Sequence, residues 1–152
     1  MSQIGNEVVR MFENALYEAC SYVFGAEAEI EKAGWDDPRN DVYVHSKRLA
    51  FDIVTHFENP LKSSYLVKKH AYLPLGYKWH VISSCGWILD DAWRYAWKHE
   101  IEIHSLDIDG FPIFKKYERY LRLFEKSGRM VKVVNYNNIL KKLEKIVEKA
   151  RK

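Results

Sequence analysis

The chain has 152 residues, an apolar share of 47% and a formal net charge of +3. That is the composition of one globular domain with enough core to fold without covalent staples. Two cysteines, Cys20 and Cys85, far apart and without CxxC spacing, argue against a disulfide framework or a cysteine-rich zinc site and fit a reducing, cytoplasmic setting. No apolar run is long enough to span a bilayer and no leader pattern opens the chain, so a soluble intracellular protein without a membrane partner is expected.

The net charge hides an asymmetry. Residues 1–110 carry 11 Lys/Arg against 17 Asp/Glu, a balance of −6, whereas residues 111–152 carry 13 against 4, a balance of +9. A basic end on an acidic body suits contact with phosphate backbones, and equally suits a solvated helix face. Aromatics are plentiful, with five Trp and ten Tyr, available for core packing or for stacking on bases.

In chain order, Val8, Phe12, Leu16, Ala19 or Cys20, and Val23 recur at helical spacing, predicting an amphipathic helix from about Ile4 to Phe24 that Gly25 ends. Glu13 borders the apolar stripe, between Val9 and Leu16. Residues 25–39 contain a short segment readable as strand or helix, then a turn on Gly34, Asp36 and Pro38.

Asn40 to Phe57, NDVYVHSKRLAFDIVTHF, alternates apolar and polar residues on either side of Ser46-Lys47-Arg48, which predicts a β-hairpin. It carries Asp41 into the first strand and Asp52 into the second. An ionised carboxylate inside an apolar strand is costly without a partner, and a divalent cation is one such partner. The plainer reading makes Asp41 a turn residue and Asp52 a solvent-facing edge position.

Pro60 marks a helix start, and Leu61 to Leu75 is expected to be helical. Trp79 to Ser83 reads as a buried strand, Trp87 to His99 as a helix, and Ile101 to Ser105 as another strand. Trp93 and Trp97 form one i,i+4 pair on that helix and Ala92 and Ala96 another; tryptophans so spaced mark core or interface. Alternating strands and helices predict parallel crossovers, hence a mixed sheet flanked by helices. A helix from Ile113 to Lys126, an edge strand at MVKVV, and a last helix capped by Asn135 or Asn137 complete the chain. Ile139, Leu143, Ile146 and Ala150 give that helix an apolar stripe that would also serve a dimer.

Helix with Glu13, strand with Asp41, strand with Asp52, then helix, strand, helix, strand: this order resembles the PD-(D/E)XK, or restriction-endonuclease-like, nuclease superfamily of archaeal Holliday junction resolvases, Mrr-type enzymes and several viral nucleases. The stretch KKHAYLPLGYKWHVISSCGWILDDAWRYAWKHEIEI is similar to the second half of that family's core. The resemblance implies a restriction-endonuclease-like α/β fold, with residues 1–110 as nuclease core and residues 111–152 as a basic helical extension of the same domain. It further implies Glu13, Asp41 and Asp52 around Mg²⁺ or Mn²⁺, hydrolysis of DNA phosphodiesters, and a homodimer on its DNA. In that reading Asp41 and Asp52 are direct ligands and Glu13 holds a water or a second ion.

Where the family has Glu-x-Lys, this chain has Asp52-Ile53-Val54. The cation must then come from the following helix, as Lys62, Lys68 or Lys69, or be replaced by His56. If none serves, the chain is an inactive relative that binds nucleic acid or supports a partner subunit. Candidate phosphate contacts are Lys62, Lys115, Lys116, Arg119, Arg122, Lys141 and Lys142. His45 and His56 with the two aspartates offer an alternative zinc reading. Walker-type, GxGxxG and GxSxG patterns are absent from the sequence, which argues against nucleotide hydrolysis, dinucleotide binding and a serine elbow.

Overall fold

The computed structural model describes residues 2–34, 36–55, 59–126, 128 and 130–152. The first helix, α1 (Ser2–Phe24), buries Val8, Phe12, Ala15, Leu16, Ala19 and Cys20, the stripe its spacing predicted. Gly25 ends it at φ 83°, a left-handed conformation that costs a residue without a Cβ little.

A five-stranded sheet follows, in the order β1 (Ile30–Lys32), β2 (Val42–Val44), β3 (Leu49–Val54), β4 (Lys78–Ser83), β5 (Glu102–Ser105). The first three strands pair antiparallel, while β3–β4 and β4–β5 are parallel. The hairpin turns through a short 3₁₀ segment, His45–Lys47, and Arg48 at φ 52°. The undecided segment before it supplies β1. Helices α2 (Ser63–His70) and α3 (Asp90–Lys98) make the crossovers, each shorter than its sequence suggested because turns take up both flanks.

Strand alternation divides the core into two layers. Val42, Val44, Leu49, Phe51, Ile53 and Ile82 pack on one face with α1, whereas Tyr43, Ala50, Trp79 and Val81 pack on the other with Leu66 of α2 and Ala92 and Ala96 of α3. The alanine pair thus faces inward and the tryptophan pair outward: Trp93 is 47% and Trp97 86% exposed. Small residues let α3 approach the sheet closely, and that leaves the large rings to solvent.

Past residue 110 the structure corrects the sequence reading. Instead of a helix from Ile113 there is a strand, β6 (Phe111–Phe114), a 3₁₀ segment (Lys115–Tyr120) and a short helix α4 (Leu121–Glu125). MVKVV does supply a strand, β7 (Val131–Val134), but it pairs in parallel with β6 in a separate two-stranded sheet, not with the main one. The 111–152 extension is therefore not purely helical.

Its last helix, α5 (Tyr136–Arg151), is capped by the Asn135 side chain, which accepts from the Asn137 and Asn138 backbone N–H groups. Ile139, Leu143 and Val147 are buried against the α1 layer, with Ile146 and Ala150 alongside. The stripe proposed as a dimer seam is spent within the chain. No helix among the described residues is long and apolar enough to cross a membrane. Leu143→Ala empties a fully buried position between α5 and α1 and should lower unfolding free energy by about 2–5 kcal/mol in denaturant titration, as buried Leu truncations do.

Candidate functional site

The β2–β3 ladder runs until Val42 faces Phe51, and one residue further Asp41 stands level with Asp52. There the two strands part, and side chains take over from the backbone ladder. Asp41 N–H donates to Asp52 Oδ1 at 3.1 Å, and Ile53 N–H donates to Asp41 Oδ2 at 2.9 Å.

Asp52 lies on the α2 side of the sheet and is fully buried. Its Oδ2 accepts from Asn40 Nδ2 at 2.5 Å and from Trp79 Nε1 at 2.7 Å. Lys69 Nζ stands 3.5 Å from Oδ1 and donates to the Arg39 carbonyl at 2.7 Å. Every named partner of Asp52 is a donor or a cation, an environment built for a carboxylate. Burial, aided by the charge of Asp41, pushes the carboxyl up to about 7, while Lys69, Asn40 and Trp79 pull in the opposite direction.

Glu13 reaches the same place from α1. Its carboxyl is a neighbour of that of Asp41, near enough to shift its titration and to share a proton with it. Burial raises both groups; for Asp41 the charge of Glu13 is the next cause, and Lys69 opposes the shift on each. Lys32 also offsets the charge on Glu13. Tyr65, one helical turn before Lys69, feels all three carboxylates, and burial together with their charge holds its phenol well above the usual range.

The three acids line up in a chain, Glu13 to Asp41 to Asp52. Among the described residues, the group of three with potential ligand atoms all within 4.8 Å of one another is His80, Glu102 and His104, not these acids. The cause is the layering: Glu13 comes from the α1 side and Asp52 from the α2 side, and only Asp41, at the sheet's parting edge, touches both. The three acids proposed from sequence as a common ligand set are therefore not gathered around one point. Glu13 and Asp41 are the carboxyls that meet, and Asp52 is committed to N–H donors and Lys69. Mg²⁺ binds through one or two carboxylates and keeps several waters, so Glu13 and Asp41 are the residues that would hold such an ion.

Of the proposed lysines, Lys62 and Lys68 are exposed and Lys69 is the one whose ammonium enters the cluster. Val54 packs with the α2–α3 core, so its position is used for burial. His56 lies outside the described residues. Both ring nitrogens of His45 are engaged, by Tyr77 at 2.5 Å and Glu31 at 2.8 Å. Lys115, Lys116, Arg119, Arg122, Lys141 and Lys142 are all exposed. Lys116 lies over Tyr117, Arg119 over Tyr120, and Lys142 Nζ donates to the Leu106 carbonyl at 3.1 Å.

Asn40, Trp79 and Tyr65 escaped the sequence reading. Asn40 looked like a turn residue, Trp79 the start of a strand and Tyr65 one more helix position. Their shared signal is a polar atom on a group placed beside an acid-bearing element, visible only once the elements are assembled.

Comparison with protein-family models, curated proteins and solved structures returned no match.

A raised carboxyl pKa has a definite sign for stability. The folded state keeps a proton that the unfolded chain has already lost, so stability falls as pH climbs from the ordinary carboxylate range toward about 7 and levels off above it. In chelator, the melting temperature of the wild type should therefore decline between pH 5 and pH 8. Asp41→Asn keeps a donor toward Glu13 and an acceptor for Ile53 N–H without the titrating proton. Its pH profile should be flatter, as scanning calorimetry at several pH values would register.

Proposed function

We propose that the protein is a metal-dependent nuclease that hydrolyses DNA phosphodiester bonds, with a restriction-endonuclease-like core. The observation that carries this reading is Lys69: the cation missing at Val54 arrives from α2, and its ammonium stands 3.5 Å from Asp52, where the two acid-bearing strands part. Support also comes from the element order, a helix with an acid, three antiparallel strands, and parallel strands joined by helices.

In this reading Glu13 and Asp41 hold a Mg²⁺ or Mn²⁺ ion. Bound there, the ion supplies an activated water and offsets phosphate charge. Asp52, anchored by Asn40, Trp79 and the Asp41 backbone, holds Lys69 in place. The Lys69 ammonium faces the charge that develops on a phosphate oxygen, an electrostatic role in which one preorganised donor contributes about 10²–10³ in rate. Lys32 and Tyr65 complete the polar wall, and the exposed basic residues of 111–152 supply phosphate contacts.

Incubation with duplex, branched and single-stranded DNA plus Mg²⁺ or Mn²⁺ tests the assignment. Metal-dependent cleavage is expected from the wild type, with loss in Glu13→Gln and Asp41→Asn. Lys69→Met should be slower by about 10²–10³-fold with folding intact, whereas Lys62→Met and Lys68→Met should cleave like wild type. Cleavage that survives Asp41→Asn would remove the basis for the reading.

A second reading is favoured by two particular features: both Asp52 oxygens already have donors, and Trp87, Trp93 and Trp97 expose their rings. It makes the chain a non-hydrolysing nucleic-acid-binding protein or a structural partner subunit, with aromatic faces on which bases stack. DNA binding that weakens steeply with salt, without any cleavage in either metal, would select it. Under the nuclease reading the same titration is accompanied by products.

A further inference from the structure

On the opposite face of the sheet from Asp52, β4 and β5 bring a second set of polar groups together. His80 is paired with Glu102 in the parallel register and Ile82 with His104, so His80, Glu102 and His104 all project from the face that carries Ile82 and Phe51. His80 Nδ1 lies 3.0 Å from His104 Nε2 and 3.1 Å from Glu102 Oε2, and His104 Nε2 lies 3.9 Å from the same oxygen. Three potential ligand atoms, one from each residue, therefore lie within 4.8 Å of one another.

We propose that His80, Glu102 and His104 form a binding site for a four-coordinate transition-metal ion of the Zn²⁺ class, with its remaining position open to solvent.

A hydrogen bond between the two rings leaves Glu102 outside it. A neutral His80 has at most one proton on Nδ1, yet that atom faces both an imidazole nitrogen and a carboxylate oxygen at contact distance. One proton cannot bond well to both, and the 3.9 Å separation is too long for His104 to serve Glu102 directly. A cation at the centre satisfies all three lone pairs together. Ligands about 2.0–2.1 Å from a tetrahedral Zn²⁺ are separated by roughly 3.3 Å, and the three observed separations bracket that value. Two imidazoles with one carboxylate form a borderline donor set, suited to Zn²⁺ and its neighbours and unlike the all-oxygen shell that Mg²⁺ takes.

The surroundings favour a rigid site open on one side. The His80 side chain is 3% exposed and its ring stacks on Phe51, which fixes its orientation, while Glu102 is 54% exposed and borders solvent. The His80 and His104 rings meet edge to edge through these nitrogens, with 21° between their planes. Lys149 of α5 and Lys78 are the neighbouring cations; the Lys78 ammonium donates to the Glu100 carbonyl, and the Glu102 carboxylate offsets the positive charge that remains. Because β5 is the last strand of the sheet, an ion held by β4 and β5 together would clamp the edge strand to its neighbour.

The test uses the full chain, stripped of metal with chelator and titrated with Zn²⁺ by calorimetry and with Co²⁺ by visible absorption, which reports four-coordination. One Zn²⁺ per chain with a rise in melting temperature is expected in the wild type. His104→Ala and Glu102→Gln, both at the accessible side of the cluster and compatible with folding by circular dichroism, should weaken binding by about 100-fold or more and abolish the Co²⁺ spectrum. Asp41→Asn, which alters the acidic site on the other side of the sheet, should leave Zn²⁺ affinity unchanged, so this result stands or falls separately from nuclease activity. Absence of Zn²⁺ binding in the wild type, full binding in His104→Ala, or loss confined to Asp41→Asn would each overturn the proposal.

Discussion

A carboxylate cannot be withdrawn from water into an apolar sheet unless it finds partners, and that constraint organises the centre of this molecule, where Asp52 is fully buried and Glu13, Asp41 and Lys69 are half-buried around it. Asp52 carries the heaviest share. It occupies a strand position between Ala50 and Val54 that pattern assigns to core, and its charge is tolerated because a backbone N–H, an amide, an indole and a lysine converge on its two oxygens. Glu13 and Asp41 are accommodated differently: burial, aided for Asp41 by the charge of Glu13, raises Asp41 to about 7 and Glu13 above the usual carboxylate range, which favours the protonated form. Such an arrangement resists the loss of a proton.

Layering decides what each group can do. A sheet covered on both faces separates residues that are neighbours in sequence: Phe51 and Asp52 are adjacent, yet one packs under α1 beside His80 and the other meets Lys69 of α2. Only where β2 and β3 part can a residue be reached from both layers, and Asp41 stands at that place. The same geometry keeps the His80, Glu102 and His104 cluster apart from the acidic one although both draw on the middle of the sheet. Each cluster has its own donor chemistry, oxygen on one side and largely imidazole nitrogen on the other.

The first helix, the hairpin and the two crossovers were legible because their apolar spacing matches a single period over many residues. The region after residue 110 was not. FPIFKKYERYLRLFEK has apolar residues at intervals that suit a helix, but Phe111, Ile113 and Phe114 are drawn into a strand by β7, a partner some twenty residues away in the chain. Tertiary pairing overrode local preference there. The tryptophans of α3 teach a related lesson, since helical spacing identifies a stripe without saying whether the large or the small residues face the sheet.

From the chain alone came the identity of the acids, Glu13, Asp41 and Asp52, the absence of a lysine at Val54, and the α2 lysines as its possible replacements. Those follow from local rules, because an acid in an apolar strand and a gap in a motif are visible wherever the strand lies. Which lysine enters, which two carboxyls meet, and which residues hold Asp52 were decided only by assembly. Lys69 is chosen over Lys62 and Lys68 by the rotation of α2 on the sheet, Glu13 meets Asp41 because α1 covers the opposite face, and Trp79 supplies its N–H because β4 lies in parallel register beside β3. Each of these depends on where separate elements come to rest against one another, which the local pattern of any one of them leaves open.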